Sequence, residues 1–439
     1  MVVTCTCFSQ TCIITAIRRE PLTLNPDVDD DTLFMELPEG WPKHGQNGGP
    51  EEVTVIRLRK ALYGLKQAPH LWYRHINAFL ISLGFIQSEA DPNLYIRNLS
   101  EMLLLLYVDD MLLAYAPTAA KEAEEIKKAL AATYKITNLG TARQFLGIEI
   151  HYSNNGISLG QRVFIDSILK QFHMETAHGA ATPLDDKVKL DLAEEEGERE
   201  GEVDPKLCQA IVGSLMYIAL ATRPDISFAV PALSRYNSRP FARHLTAAQR
   251  VLRYLKVTKD YRLRYNSSTT GPNTLIVYTD SEGASDSADR KSQGGRIFIS
   301  NGTISWQSRK QDLVATSTLE AEYIACSEAS REGRWLLQLC KDTKPHDNDN
   351  DDDNDDDDKN NKPLPILCDN EGALTHIING TIKARTKHID VCYHNSRDLH
   401  ERGIVKYSWV STQENVADIF TKALPREKHK KSTKAMSLW

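Results

Sequence analysis

What this sequence lacks removes several classes of protein before any motif is read. No apolar run approaches the roughly 20 residues that a membrane span needs: the longest, Met102–Tyr107, resumes only at Met111, after Asp109 and Asp110. A transmembrane helix is therefore not expected. The start, Met1–Ile14, is apolar, but it has neither a basic leader nor a clear small-residue cleavage site, so it does not read as a signal peptide. The eight cysteines show no paired spacing, which argues against a disulfide framework or a zinc ribbon and makes a reducing compartment the expectation. His388, Cys392 and His394 lie close together, yet an acid intervenes and no fourth paired ligand is near, so structural or nucleic-acid-facing roles fit better than zinc. A positive charge excess is missing too, since the net charge is -6. That average misleads, because Asp347–Asp358 holds nine Asp in twelve residues and removing those nine charges takes the balance from -6 to +3. Such a run repels itself and reads as a solvated, disordered insert; it lacks the glycine and terminal Glu of a calcium loop.

What is present is enough for two or three domains, with 439 residues of which 41% are apolar. Residues 1 to about 21 carry no pattern that joins naturally to the chain beyond them. Phe34–Pro38 reads as a short extended piece, Val53–Leu58 as a strand and Leu71–Leu83 as a helix with Trp72, Ile76, Phe79 and Leu83 on one side. Leu94–Arg97, Met102–Tyr107 and Met111–Tyr115 read as strands, Lys121–Lys135 as a helix with Ile126 and Leu130 inward, and Phe145–Tyr152 with Gly156–Leu159 as a hairpin. Phe164–Phe172 is expected to be helical, Pro183–Glu202 an exposed acidic connection, and two or three helices come next, over Leu207–Ala221, after Arg223-Pro224-Asp225, and over Leu245–Tyr254. From Thr274 an α/β alternation begins: strands Leu275–Thr279, Arg296–Ser300 and Thr303–Trp306, helix Thr318–Gln338, strand Leu364–Cys368, a helix, strand Gly403–Val410 and a final helix from Glu414. The acidic run falls between the long helix and the next strand, where a loop tolerates insertion.

Two constellations carry chemistry. Asp109 and Asp110 sit between two apolar runs, and adjacent like charges are tolerated where a divalent cation lies between them and phosphate oxygens. In the second, Asp280 ends a strand, Glu322 lies in the first turns of the long helix, Asp369 ends another strand and Asp418 lies in the last helix. Four carboxylates at strand ends and helix starts of one α/β unit can converge on two divalent cations, an arrangement suited to in-line phosphodiester hydrolysis. Taken singly, each of these acids also fits a turn or a solvent-facing helix position, Glu320 included.

The residues Arg57–Pro69 with Leu71-Trp72-Tyr73, Leu83-Gly84-Phe85, Tyr107-Val108-Asp109-Asp110-Met111, Phe145–Ile150, Gly213–Tyr217 and Thr222-Arg223-Pro224-Asp225 resemble the reverse transcriptases of Ty1/copia-type retrotransposons. Tyr278-Thr279-Asp280, Cys368-Asp369-Asn370, Ala384–Asp390 and Ala417–Lys422 resemble the ribonuclease H domain that follows the polymerase in the same elements, and the likeness runs nearly continuously from about Leu24 to Leu424. The resemblance implies an incomplete α+β polymerase palm with a helical thumb or connection, followed by an α/β ribonuclease H-like domain with a mixed sheet. It implies an atypical segment over 1–21, the palm over 22–180, the linker and thumb or connection over 181–270, and the ribonuclease H-like domain over 271–430 with the acidic insert at 344–361. It implies Asp109, Asp110, Asp280, Glu322, Asp369 and Asp418 as catalytic, metal-holding acids, Mg2+ as the cofactor with Mn2+ as its substitute, and an RNA template, DNA primer and RNA–DNA hybrid as partners, with other Pol or Gag products of the element. Lys66, Gln67, Arg385 and Lys387 become candidate nucleic-acid contacts, and His388 a third basic residue near the last two.

The departures shape the expected function. In this family the first palm Asp lies at a strand end about six residues before a Leu-Asn pair; Leu24-Asn25 fits that pair, and counting back lands near Arg18. The sequence Ile14–Glu20 does not resemble that strand, Asp27, Asp29, Asp30 and Asp31 lie too far along to replace the acid, and nearly all the fingers are expected to be absent. Gly283 stands where relatives commonly carry Trp. With two of three carboxylates the polymerase is expected to be inactive alone, while all four ribonuclease H acids are present. The alternatives are a catalytically silent remnant and a nucleic-acid-binding scaffold; no protease, integrase zinc site or capsid zinc knuckle is visible. The expected location is intracellular, in a cytoplasmic virus-like particle or the nucleus.

Overall fold

The protein is described from a computed structural model, which covers residues 13–19, 33–36, 39, 55–62, 65–97, 101–188, 190, 203–266, 274–283, 290–343, 362–379 and 395–439. The chain divides into two compact units, one drawn from residues between 12 and 142 and the other from residues 143–341 with the described residues from 362 onward.

The first unit is built on a six-stranded sheet. Its strands are β1 (Ile13–Arg19), β4 (Ile86–Gln87), β5 (Leu94–Arg97), β6 (Met102–Tyr107), β7 (Asp110–Tyr115) and β8 (Ile136–Thr141), in the order β4-β5-β6-β7-β1-β8. A separate pair, β2 (Phe34–Glu36) and β3 (Val55–Arg57), forms a two-stranded ribbon. Helices α1 (Ala68–Ser82) and α2 (Ala120–Thr133) supply Trp72, Ile76, Leu80, Ile126 and Leu130 to the core against Met102, Leu104 and Leu113. The segment that reads as patternless in the sequence is in fact an inner strand: β1 pairs antiparallel with both β7 and β8. It escapes a period-2 reading because Ile14, Thr15, Ala16 and Ile17 are all buried, as in strands covered on both faces, which show apolar runs without alternation.

The second unit has three parts. A four-stranded sheet, ordered β12-β11-β10-β9, joins β9 (Gln144–Phe145), β10 (Ile148–Ser153) and β11 (Gly156–Gly160) to β12 (Leu263–Asn266), a strand not expected from the sequence. Helices α3 (Arg162–Gln171), α4 (Pro205–Ala221), α5 (Ala229–Ser234) and α6 (Ala242–Val257) pack Ile168, Leu215, Ile218, Val230 and Leu252 into one core. The third part is a five-stranded mixed sheet of β13 (Ile276–Glu282), β14 (Gln293–Ile299), β15 (Thr303–Lys310), β16 (Leu364–Cys368) and β17 (Val405–Trp409), ordered β15-β14-β13-β16-β17. The first three strands are antiparallel and β16 and β17 run parallel to β13. Helix α7 (Thr318–Asp342) covers this sheet through Tyr323, Ile324 and Leu336, followed in the chain by α8 (Glu371–Asn379) and α9 (Asn395–Glu401). The expected final helix from Glu414 is a short 3-10 turn, Val416–Phe420, and the last α-helix is α10 (Arg426–Ala435). Pro425 separates the two, since its ring bars a helix from continuing through it.

Among the described residues no helix is long and apolar enough to cross a membrane. The acidic insert and the 384–394 motif lie outside the described residues.

The core of the second unit contains an ion pair. The Arg223 side chain has no exposed surface; its Nε and Nη2 donate to the two carboxylate oxygens of Asp225 at 2.9 and 2.7 Å, and the same guanidinium donates to Thr258 O and Oγ1 at 2.9 and 2.7 Å. Tyr254 Oη donates to Asp225 at 2.6 Å. Burial alone would push the Asp225 carboxyl up, but Arg223 and Tyr254 outweigh it and hold it below 3.8. Removing one partner of such a pair strands the other in a dry interior, a loss of about 3–5 kcal/mol. Asp225→Asn is therefore expected to lower the stability of this unit by that order in urea unfolding. Because the folded-state value is depressed, the wild-type advantage is complete above the unfolded value of 3.8 and fades as pH falls through the folded one.

Candidate active site

The hairpin that carries Asp109 and Asp110 is a two-residue turn: Tyr107 pairs with Asp110, leaving Val108 and Asp109 at the tip. Asp110 is the first residue of β7 rather than part of a loop. Val108 has φ 53°, a conformation that short hairpins demand but a β-branched side chain resists. Trp72 on α1 secures the tip by donating Nε1 to Val108 O at 2.8 Å.

The neighbouring strand β1 brings two cations to these two acids. Arg18 lies opposite Asp110 in the register, and its Nε donates to Asp110 Oδ1 at 2.7 Å. Arg19 places Nη1 3.4 Å from Asp109 Oδ1, donates its backbone N–H to Asp109 O at 2.9 Å, and stacks its guanidinium 3.8 Å from the centre of the Trp72 ring. The Arg19 side chain is only 6% exposed, against 61% for Arg18. Burial lowers the Arg19 pKa against the pull of Asp109, whereas the hydrogen bond to Asp110 raises that of Arg18. Both carboxylates are thus engaged by guanidinium groups of the same neighbouring strand.

The second set of acids is assembled around β13. Asp280 lies inside that strand, not at its end, and Asp369 directly follows the parallel strand β16, so both stand toward the carboxyl ends of parallel strands, where open α/β sheets place their ligands. Glu322, in the first turns of α7, accepts from Ser281 N–H at 3.1 Å. Asp418 comes from the 3-10 turn, which packs onto β14 where Gly295 faces it: a Cβ there would lie 2.7 Å from Phe420 Cβ and 3.1 Å from Ala417 O. Since Gly295 is the register partner of Asp280, this missing side chain lets Asp418 come up beside Asp280. One oxygen from each of Asp280, Asp369 and Asp418 lies within 4.8 Å of the others, and the Glu322 carboxylate, Cys368 Sγ and Asp369 form a second trio on the same criterion.

Burial dominates the electrostatics. Asp280, Glu322 and Asp418 are buried and Asp369 is half-buried. Removal from water pushes Asp280 up to about 7, with Lys422 opposing and Asp418 adding to the shift. It also pushes Glu322 far above the carboxylate range, with Cys368 and Asp280 adding to it. Lys422 places Nζ 2.9 Å from Asp418 Oδ1 and 3.7 Å from Asp280 Oδ2, and Lys428 on α10 donates to Asp418 Oδ2. Burial works against the Lys422 ammonium, but Asp280 and Asp418 outweigh it and raise its pKa. The Cys368 thiol is held protonated by its hydrogen bond to Cys326 and by burial, and it donates to Glu322 Oε2 at 3.6 Å. The remaining donors are all oxygen, the set that suits a hard divalent cation.

The sequence-predicted residues thus divide. Asp280, Glu322, Asp369 and Asp418 come together, while Asp109 and Asp110 meet arginines. Lys66 and Gln67 are exposed in the turn before α1, with no capping hydrogen bond from Gln67; Arg385, Lys387 and His388 lie outside the described residues. Glu320 is not solvent-facing: it is buried and accepts from Thr316 N–H and Oγ1, both at 2.7 Å. Gly283 is exposed, and a Cβ there would meet only Thr318 Cγ2 at 3.4 Å, so the missing Trp leaves no strain. Sequence reasoning missed the supporting residues. Thr421 donates its hydroxyl to Asp280, Asn415 donates to Thr279 O at 3.1 Å, and Lys428 reaches Asp418. Thr421 and Lys422 lie in the Ala417–Lys422 motif, three and four residues beyond Asp418, the spacing that faces one side of a helical turn; Lys428 has no such signal.

The mixed sheet thus gathers four acids at its centre, in a chain that also carries a separate acid hairpin. The family model described as reverse transcriptase (RNA-dependent DNA polymerase) matches residues 10–186, beginning ahead of β1. The chain is 36% identical over 413 residues to the "Retrovirus-related Pol polyprotein from transposon TNT 1-94" of Nicotiana tabacum, covering 92% of this chain and 29% of that one. It is 35% identical over 308 residues to the "Putative transposon Ty5-1 protein" of Saccharomyces cerevisiae, covering 69% of this chain and 96% of that protein. Among solved structures, the amino-terminal ribonuclease H domain of a Mycobacterium tuberculosis protein, fused to maltose-binding protein, aligns at 12% identity and a TM-score of 0.24, over 37% of this chain and 99% of that one; that score is too low to bear on function. The chain belongs to the Ty1/copia-type retrotransposon Pol family, with a reverse transcriptase region over residues 10–186. It spans 29% of the length of the tobacco polyprotein.

The raised Asp280 carboxyl has a measurable consequence. Between its unfolded value of 3.8 and its folded value of about 7 the folded state holds the extra proton, so rising pH costs stability through that window. In EDTA the melting temperature of Asp280→Asn is therefore expected to gain on that of the wild type as pH rises from 3.8 to about 7. Parallel melting curves across that range would count against the assigned burial.

Proposed function

We propose that this chain cleaves the RNA strand of RNA–DNA hybrids at Asp280, Glu322, Asp369 and Asp418, with Mg2+ or Mn2+, and does not by itself extend a primer. The observation that carries the reading is the convergence of four acids from β13, α7, the end of β16 and the 416–420 turn. Asp280, Glu322, Asp369 and Asp418 would hold the divalent cations, which when bound would supply an activated water and neutralise charge at the leaving oxygen. The chain's own residues hold the set ready. Thr421 orients Asp280, Ser281 N–H orients Glu322, and Trp409 Nε1 fixes the backbone at Asp369 by a 3.2 Å bond to its carbonyl. Lys422 and Lys428 balance Asp418 in the absence of a cation. Asp369, half-buried where the other three are buried, is the acid through which solvent reaches the cluster.

In this reading residues 22–180, together with strand β1, form an incomplete palm, 181–270 a linker with thumb or connection, and 271–430 the ribonuclease H-like domain. Lys66 and Gln67 lie at the primer–template side and Arg385 and Lys387 contact the hybrid backbone. A polymerase of the two-metal type needs ligands on both sides of its cations, and the hairpin supplies Asp109 and Asp110 against arginines.

The test is cleavage of a labelled RNA–DNA hybrid with Mg2+ or Mn2+. Wild type is expected to cut the RNA strand and Asp280→Asn to fall to background; full activity in the variant, or hybrid binding without cleavage by the wild type, sinks this reading. Primer extension on an RNA template is expected to give no incorporation, and robust incorporation would refute the second half.

A further inference from the structure

We infer that Arg18 and Arg19 occupy the role of the cations at the Asp109–Asp110 hairpin, so that this acid pair is neutralised from within the chain and takes up no divalent metal. The inference rests on reading the hairpin as an acid pair of polymerase type and is independent of the second cluster.

Two adjacent carboxylates at a fixed turn need counter-charge, and here each has its own: Arg18 on Asp110 at 2.7 Å and Arg19 on Asp109 at 3.4 Å. The two contacts differ in kind. Arg18 is largely exposed, and a pair of that sort contributes little and can swing away. Arg19 cannot. Its side chain is buried, its ring-stacking on Trp72 fixes the guanidinium, and its own N–H is bonded to Asp109 O. A cation arriving at Asp109 would face a positive charge that has no exit to solvent. The backbone reinforces the point, since Arg18 stands opposite Asp110 in the β1–β7 register. A third carboxylate facing the pair would have to come from this strand position, and a guanidinium stands there instead. Locally two negative charges meet two positive ones, whereas the cluster around Asp280 has four acids against Lys422 and Lys428.

The consequence is a hairpin that keeps the backbone of a metal site with its charge complement inverted. The test uses the full chain, with Fe2+ in place of Mg2+ and ascorbate with hydrogen peroxide to generate hydroxyl radicals that cut the backbone beside bound metal. The wild type is expected to give no Mg2+-suppressible break at residues 107–111. The double variant Arg18→Asp/Arg19→Val, which restores an acid at the register position and a β-former beside Trp72, is expected to gain one. A wild-type break at the hairpin overturns the inference, as does a folded double variant that stays uncut there. Breaks near Asp280, Asp369 and Asp418 report separately on the ribonuclease reading, and primer extension on the polymerase reading. If the double variant does not fold, the wild-type map and the melting of Asp109→Asn in EDTA still decide. An acid pair awaiting metal repels itself, so losing one charge would raise the melting temperature; if Asp109 balances the buried Arg19, neutralising it removes a counter-charge, and the melting temperature is expected to fall by several degrees. A rise would overturn the inference.

Discussion

The guanidinium of Arg223 lies wholly out of water, and whatever packs around it has to keep Asp225 within reach. A buried pair of this kind adds little net stability over an apolar pair of the same volume, because both charges lose their hydration. Its effect is to select one arrangement. Thr258 follows α6, Tyr254 is on α6, and the ring of His429 on α10 sits 3.3 Å from Asp225 O. Any packing that separates these elements from the Arg223–Asp225 pair leaves its remaining hydrogen bonds unmade in the interior. The next residue back along α10 is Lys428, whose ammonium rests on Asp418. The core pair and the acid cluster therefore share a helix, and the constraint that orders the helical layer also positions a charge in the candidate site.

The two groups of acids in this chain face one electrostatic problem and meet it differently. Around Asp280 the acids are desolvated, so they hold protons or lean on lysines, a condition that a bound divalent charge would reverse. Around Asp109 the acids are partly exposed and each is matched by an arginine from the neighbouring strand. The difference lies in what surrounds the carboxylates. Gly295 admits a turn close enough to bury Asp418 beside Asp280, whereas β1 delivers side chains long enough to reach across and settle the charge.

Legibility followed the same physics. The strands Leu94–Arg97, Met102–Tyr107 and Leu364–Cys368 stand where the sequence placed them, because polar or turn residues bound each of them closely. The four acids of the second cluster were readable as residue types flanking apolar runs. Strand β1 was not, since a strand buried on both faces shows no alternation and its two arginines look like solvent-facing charge. The 416–420 turn reads as a helix because Val416, Ile419 and Phe420 have helical spacing, and 3-10 geometry has no separate sequence signal over five residues. Contacts such as Lys428 to Asp418 or Arg19 to Trp72 depend on which elements meet in space, and local pattern is silent on that.

The tip of the β6–β7 hairpin holds Val108 in a left-handed conformation that its branched side chain disfavours, and a tryptophan from α1 keeps it there. None of that support comes from the carboxylates. The shape of the turn is thus sustained by cross-strand pairing and one indole, while its charges are matched from strand β1. The geometry of the turn and the charge it carries are therefore set by different elements, so that one can be inherited without the other.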